Sequence, residues 1–153
     1  MLDYETAMSI AEQKCIEQGI KFTRRRKQVF SVLVKTDVAL SAYEIAEQCD
    51  ADSDTKMPAM SVYRILELLQ EQNLIHRLDT TNKYISCSHI ACEHAHNQSQ
   101  FLICGSCRHV EEIYLSPEAV DAVQVAASSA GFSSISAQLE IKGWCGQCQP
   151  HST

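Results

Sequence analysis

Two Cys-x-x-Cys pairs, Cys104-Gly105-Ser106-Cys107 and Cys145-Gly146-Gln147-Cys148, carry the most definite chemistry in the sequence. Four thiolates on two such knuckles complete a closed tetrahedral zinc site with no position left for a substrate, so the expected role is structural and no catalytic residue is assigned. Zinc ribbons place roughly 15 to 20 residues between their knuckles. Here residues 108–144 intervene, enough for a strand, a helix and a strand, and the metal would staple the two ends of a small α/β unit. A redox-active dithiol is the competing reading. It fits less well, because a thioredoxin-like motif uses one pair beside a βαβ pattern and needs no second.

The chain has 153 residues, 45% of them apolar, which suits one ordinary domain or two small ones supported by a metal or a partner. No apolar run approaches the ~18 residues of a membrane span, and the start Met1-Leu2-Asp3-Tyr4-Glu5 lacks the basic and apolar regions of a signal peptide. A cytosolic protein with no membrane contact is expected. In a reducing compartment its eight cysteines read as metal ligands and buried thiols rather than disulfides.

A net charge of -6 argues against nucleic acid until the charges are placed. Residues 1–86 hold 11 basic and 13 acidic side chains, and the remainder only 2 and 6. The run Arg24-Arg25-Arg26-Lys27 sits at an expected helix start, where it can form a local positive patch on an acidic protein. A solvated helix face is the plainer explanation of such a run.

The elements that must position these groups follow from periodicity. Ala7, Ile10, Ala11 and Ile16 give a helix over about 5–18 closed by Gly19, and Thr23 caps a second to about Lys35 that buries Val29, Phe30, Val32 and Leu33. Ser41-Ala42-Tyr43-Glu44 is a capping box for a third helix to about Gln48. After an acidic loop over 50–57, Val62, Ile65, Leu66, Leu68 and Leu69 form the face of a fourth helix, opening at Ser61 and ending near Gln72. Two strand-like runs, 73–78 and 83–87, follow around the turn Asp79-Thr80-Thr81-Asn82. Helices and then a hairpin is the order of a winged helix-turn-helix, in which one helix enters the major groove and the hairpin flanks it; a generic helical bundle is the alternative.

The polar stretch over 86–100 holds Cys87, His89, Cys92, His94 and His96 and reads as a junction. Beyond it come strands 101–104 and 109–114, a helix from about Pro117 to Ala130 ended by Gly131, and a final strand in which Ile135, Ala137, Leu139 and Ile141 alternate with Ser134, Ser136, Gln138 and Glu140. That alternation predicts a half-buried strand whose polar face meets solvent or another subunit. Cys15 and Cys49 fall on helices and read as packing residues.

With these residues placed, nearly the whole chain resembles the ferric uptake regulator family of metal-dependent repressors, most closely its zinc uptake regulator branch. The matching segments are Phe22-Thr23-Arg24-Arg25-Arg26, Leu40-Ser41-Ala42-Tyr43, Ser61-Val62-Tyr63-Arg64-Ile65-Leu66, Tyr84-Ile85-Ser86-Cys87 and Phe101-Leu102-Ile103-Cys104-Gly105-Ser106-Cys107. Singly the first two are weak; in this order, with the second cysteine pair behind them, they are specific. The resemblance implies an α+β protein: a winged helix-turn-helix DNA-binding domain over 1–86, a junction over 87–100 contributing metal ligands, and a small α/β dimerisation domain over 101–153 with the structural zinc on its four cysteines. It further implies a regulatory metal between the domains.

Carried over by position, Arg64 reads a purine and Tyr63 a phosphate or base edge from the helix containing Ser61, assisted by Tyr43 and by Arg24, Arg25 and Arg26. The chemistry suits these roles, since Arg donates two hydrogen bonds to guanine, whereas basic and hydroxyl groups on phosphates fix register without reading sequence. For the regulatory metal, ligand softness is informative on its own. His76, Cys87, His96 and Glu112 offer one thiolate, two imidazoles and a carboxylate, a set that fits tetrahedral zinc better than ferrous iron. His94 competes with His96, and Glu111 with Glu112. His89, Cys92 and the spare histidine are read as junction residues. The expectation is a zinc-sensing repressor with about two zinc ions per chain, acting as a homodimer on an inverted-repeat operator in double-stranded DNA. An iron or peroxide sensor of the same family is the near alternative, and a zinc-stapled interaction module or thiol redox protein the distant one.

Overall fold

Asp3 starts the first helix: its carboxylate accepts from the Thr6 hydroxyl at 2.6 Å and the Thr6 amide at 3.0 Å. Both bonds hold the Asp3 carboxyl below its ordinary range. In the computed structural model, which describes residues 3–52, 54, 56–91, 99–133 and 138–149, α1 spans Tyr4–Glu17 and buries Ala7, Ala11 and Cys15. Gly19, at φ 69°, closes it, with the Ile20 amide donating to the Cys15 carbonyl at 2.8 Å. The expected apolar face is therefore displaced by one residue at its end. Residues 7, 11 and 15 stack at four-residue intervals on one face, whereas Ile16, about 100° round the helix from Cys15, is exposed.

The next two helices start at side-chain caps legible in the sequence. Thr23 accepts from the Arg26 amide to open α2, Arg24–Val34. At the start of α3, Ala42–Ala51, the Glu44 carboxylate accepts from the Ser41 amide at 2.7 Å and the Ser41 hydroxyl from the Glu44 amide at 3.2 Å. α3 outlasts its expected end at Gln48 because Cys49 continues the face of Ile45 and Ala46 into the core. α4, Ala59–Glu71, starts before Ser61, which lies in its first turn. Pro58 opens it with no side-chain hydrogen bond, its fixed φ of -61° being compatible with an N-cap. Asp50 secures the preceding loop by accepting from the Met57 amide at 2.7 Å.

Phe30, Leu33, Ile45, Val62, Leu66 and Leu69 form one core shared by α2, α3 and α4. Each such side chain contributes roughly 1.5 to 3 kcal/mol by leaving water. Asn73 then adopts φ 57° and lets the Leu74 amide reach the Leu69 carbonyl at 3.0 Å, which ends α4 and turns the chain into the hairpin. Strands β1, Ile75–Leu78, and β2, Lys83–Ser86, pair antiparallel, His76 opposite Ile85. Leu40, just before α3, exchanges both backbone hydrogen bonds with Tyr84, at 2.9 and 2.8 Å. The wing is thus bonded to the start of α3. These elements lie in the first of two compact units, Met1–Glu93.

The second unit, His94–Thr153, contains β3, Ser99–Cys104, β4, Val110–Tyr114, α5, Pro117–Ser129, and β5, Glu140–Gly143. The sheet order is β4-β3-β5, with β4 antiparallel and β5 parallel to β3. Ser116 caps α5, Pro117 occupies its first turn, and Gly131 at φ 86° follows its end. Residues 134–137 of the alternating run lie outside the described residues. Of the described part of that run, Gln138, Leu139 and Glu140 are half-buried and Ile141 is exposed, and α5 contributes no buried side chain. Among the described residues, no helix is long and apolar enough to cross a membrane.

Candidate metal centres and nucleic-acid interface

The knuckles close the second unit at one end of its sheet. Cys104 ends β3, and a turn through Arg108 at φ 65° returns the chain to β4, with the Cys104 amide donating to the His109 carbonyl at 2.9 Å. The second pair follows β5, which the parallel ladder holds beside β3, and the Gly105 amide donates to the Gly143 carbonyl at 2.9 Å. The sulfur atoms of Cys104, Cys107, Cys145 and Cys148 consequently all lie within 4.8 Å of one another. Zinc–sulfur bonds of about 2.3 Å in a tetrahedron require sulfurs about 3.8 Å apart, and the Cys107–Cys145 separation is 3.7 Å. The donor set and its spacing fit zinc.

Electrostatics point the same way. The Cys145 amide, 3.5 Å from the Cys104 sulfur, and then the amides of Cys107 and Ser106 favour a thiolate and hold Cys104 at about 6. For Cys107 the His109 amide pulls down, but hydrogen bonding with Cys104, burial and its other sulfur neighbours push it up to about 12. One anion is welcome and several are not until a cation joins them. By contrast Cys15 and Cys49 are buried, and desolvation raises both thiols, Cys49 to about 11, as packing residues require.

A second donor group belongs to the wing. His76 lies on β1, and Cys87 immediately follows β2, its amide donating to the Leu74 carbonyl at 2.9 Å. Both side chains are buried, and an imidazole nitrogen and the sulfur lie within 4.8 Å of each other, within reach of one ion. The His89 amide donates to the Cys87 sulfur at 3.4 Å. In the second unit, register separates the two candidate glutamates. Glu112 pairs with buried Phe101 and is itself buried, its carboxylate accepting from the Ser99 hydroxyl at 2.6 Å. Glu111 pairs with exposed Leu102 and meets His109 Nε2 at 3.0 Å. Ser99 was not foreseen as a partner of Glu112. Its signal was the alternation Ser99, Phe101, Ile103, masked by the polar run before it. His94, His96 and Cys92 lie outside the described residues.

On the helical face, Arg64 and Tyr43 are exposed, while Tyr63 is half-buried and packs on the core. The rings of Tyr43 and Tyr63 meet edge to face, centroids 6.5 Å apart at 87°. The basic run divides. Arg24 and Arg25 are exposed and line a cleft of about 490 Å³ with Gln28, Lys56, Asp52 and Asp54. Arg26 instead bends back, its guanidinium donating to the Lys21 carbonyl, and Lys27 pairs with Glu12 at 2.9 Å. The sequence also did not disclose the strap from Lys83 of the wing to Glu44, 3.3 Å. It needs contacts 39 residues apart that no local pattern encodes.

Known proteins place this arrangement. The chain is 30% identical over 139 residues to the zinc uptake regulation protein of Escherichia coli (strain K12), covering 90% of this chain and 78% of that one. It is also 30% identical over 148 residues to the ferric uptake regulation protein of Helicobacter pylori (strain ATCC 700392 / 26695), covering 95% of each. In fold it resembles a zinc uptake regulator solved in complex with zinc and DNA, at a TM-score of 0.79 and 24% identity, over 96% of this chain and 95% of that one. The profile of the ferric uptake regulator family matches residues 17–142. Two cysteine knuckles on one three-stranded sheet, a winged helical unit before them and this match along the sequence lead to one conclusion: the chain belongs to the ferric uptake regulator family.

Proposed function

We propose that the protein is a zinc-responsive, DNA-binding transcriptional repressor that acts as a homodimer, with zinc as the corepressor that controls zinc-uptake genes. The observation that carries the zinc assignment is the buried Cys87 sulfur beside His76, separate from the four knuckle cysteines. A thiolate favours zinc over ferrous iron, which prefers nitrogen and oxygen. With Glu112 and a histidine of the junction, His96 or else His94, it completes a four-ligand sensing set, while Cys104, Cys107, Cys145 and Cys148 hold a structural zinc. That gives about two zinc ions per chain.

In this reading Arg64 reads a base edge from α4, Tyr43 and Tyr63 stand beside it, and Ser61, Arg24 and Arg25 contact phosphate. Arg26, already committed to Lys21, lends charge only. The domains follow the boundaries 1–86, 87–100 and 101–153, and the uncovered apolar side chains of the second unit, Val125 and Phe132 among them, supply the subunit contact. Zinc that binds one arrangement of the protein more tightly favours that arrangement, and by linkage DNA then tightens zinc. The regulator works in the cytoplasm. Selection from a randomised duplex library, with and without zinc, tests this. Zinc-dependent enrichment of an inverted repeat is expected, and no sequence preference in either condition would remove the function.

A further inference from the structure

Arg24, Arg25 and Arg26 open α2 with no acidic residue in its first turn, while α3 ends with Asp50 in its last turn and Asp52 at its C-cap. Both placements run against the helix dipole, which disfavours cations at an N-terminus and carboxylates at a C-terminus. The fold sets the two unfavourable ends against each other. Arg24, Arg25, Lys56, Asp52 and Asp54 line one cleft of about 490 Å³, and all five are exposed. Asp50 is already engaged, accepting from the Met57 amide at 2.7 Å and so holding the loop that carries Asp54 and Lys56. Among the described residues, none of the five charges in the cleft is locked in a direct ion pair. A space of that volume is about 8 Å across, comparable with the Debye length of ~8 Å at physiological salt, so each charge acts on the others without full screening. An approaching phosphate meets three cations set against two carboxylates.

We infer that Asp52 and Asp54 compete with DNA phosphate for Arg24 and Arg25, forming an internal brake on sequence-independent binding. This rests on the DNA-binding reading above and adds to it two residues that oppose the contact. Phosphate contacts supply affinity without reading sequence, so the brake acts alike on every duplex and acts with or without zinc. Base readout from α4 is untouched. A basic face without a counterweight would hold the metal-free protein on any duplex; the two carboxylates lower that background, and the metal then decides occupancy.

The test measures affinity by fluorescence anisotropy, with and without zinc, for the duplex that the parent protein selects from a randomised library and for a scrambled duplex of equal length. Asp52→Asn with Asp54→Asn keeps side-chain shape and removes a carboxylate from a helix C-terminus, so the double variant should fold. It should bind both duplexes about three- to tenfold more tightly at ~50 mM salt and gain less at ~200 mM. The ratio of selected to scrambled affinity should stay within about twofold of the parent's, because no base contact changes. In a background of Arg24→Ala with Arg25→Ala, the gain should fall below about twofold, since nothing is left to compete for. Glu118→Gln with Asp121→Asn on α5 makes the same change in net charge outside the cleft and should leave affinity within about twofold of the parent. An equal gain from the α5 control, or a full gain in the alanine background, would mean that net charge alone acts and would overturn the inference. So would a gain confined to the selected duplex. If the parent selects its duplex with zinc while the asparagine variant binds as the parent does, the inference alone fails. If the parent selects no sequence, the DNA-binding function fails with it.

Discussion

Among the described residues, Cys87 differs from the knuckle cysteines in its surroundings: it lies beside His76 and accepts from the His89 amide. Because a closed structural site and a sensing site have separate ligands, Cys87→Ser should leave a folded dimer holding about one zinc per chain in place of about two. Zinc-stimulated DNA binding should be lost. Metal analysis and DNA binding on one preparation check this, and undiminished zinc-dependent binding would move the sensor elsewhere. A second pair of changes separates readout from attraction. Arg64→Ala should cost roughly 1 to 3 kcal/mol and relax preference at one base pair in each half-site, whereas Arg25→Ala should weaken all duplexes alike and lower the salt slope by about one. Salt titrations on matched and mismatched duplexes distinguish the two.

The helix starts govern how these side chains are presented. Ser41→Ala removes one half of the capping box and should cost about 1 kcal/mol in urea unfolding; no change would mean that the wing alone fixes the start of α3. Glu44 adds a pH dependence whose sign is determined. Hydrogen bonding from the Ser41 amide first, and then Lys83, hold its carboxyl below the ordinary 4.5. Its contribution is therefore present above 4.5 and lost as pH falls through the lower folded value. With 42% of its side chain exposed, screening limits that contribution to a few tenths of a kcal/mol. The stability gap between the parent and Glu44→Ala should narrow as the solution is acidified below pH 4.5, and a gap that widens would contradict the assignment. Caps of this kind were legible in the sequence, as Thr23, Ser41 and Gly19 show, because their hydrogen bonds span only a few residues. The start of α4 at Ala59 was not, since Pro58 makes no side-chain cap. Nor was the Leu40–Tyr84 bridge, a long-range pairing in which Leu40 gives no strand signal of its own. Of the candidate metal ligands, the knuckles were readable from spacing alone. His76 and Cys87 were named from residue type and place on the wing, and the hairpin register is what brings these residues, 11 apart in sequence, together.

At the scale of the molecule, a small second unit leaves Val123, Val125, Phe132, Ile141 and Trp144 in water, and a metal staple and a partner are the two remedies open to it. Cys104→Ser should break the cage whose metal-binding energy is also folding energy, so the structural zinc and the dimer should disappear together. A variant that stays dimeric with unchanged zinc would refute the structural assignment. The central claim, that exchangeable zinc licenses DNA binding, is tested most directly by chelation and add-back. The parent protein, stripped of its exchangeable metal but retaining one zinc per chain, is titrated with zinc, manganese or anaerobic ferrous iron while retention of its selected duplex is measured. Recovery with about one zinc per chain, and no recovery with iron at the same ratio, is the predicted result. Recovery with iron but not with zinc, or binding that never falls on chelation, would contradict the account.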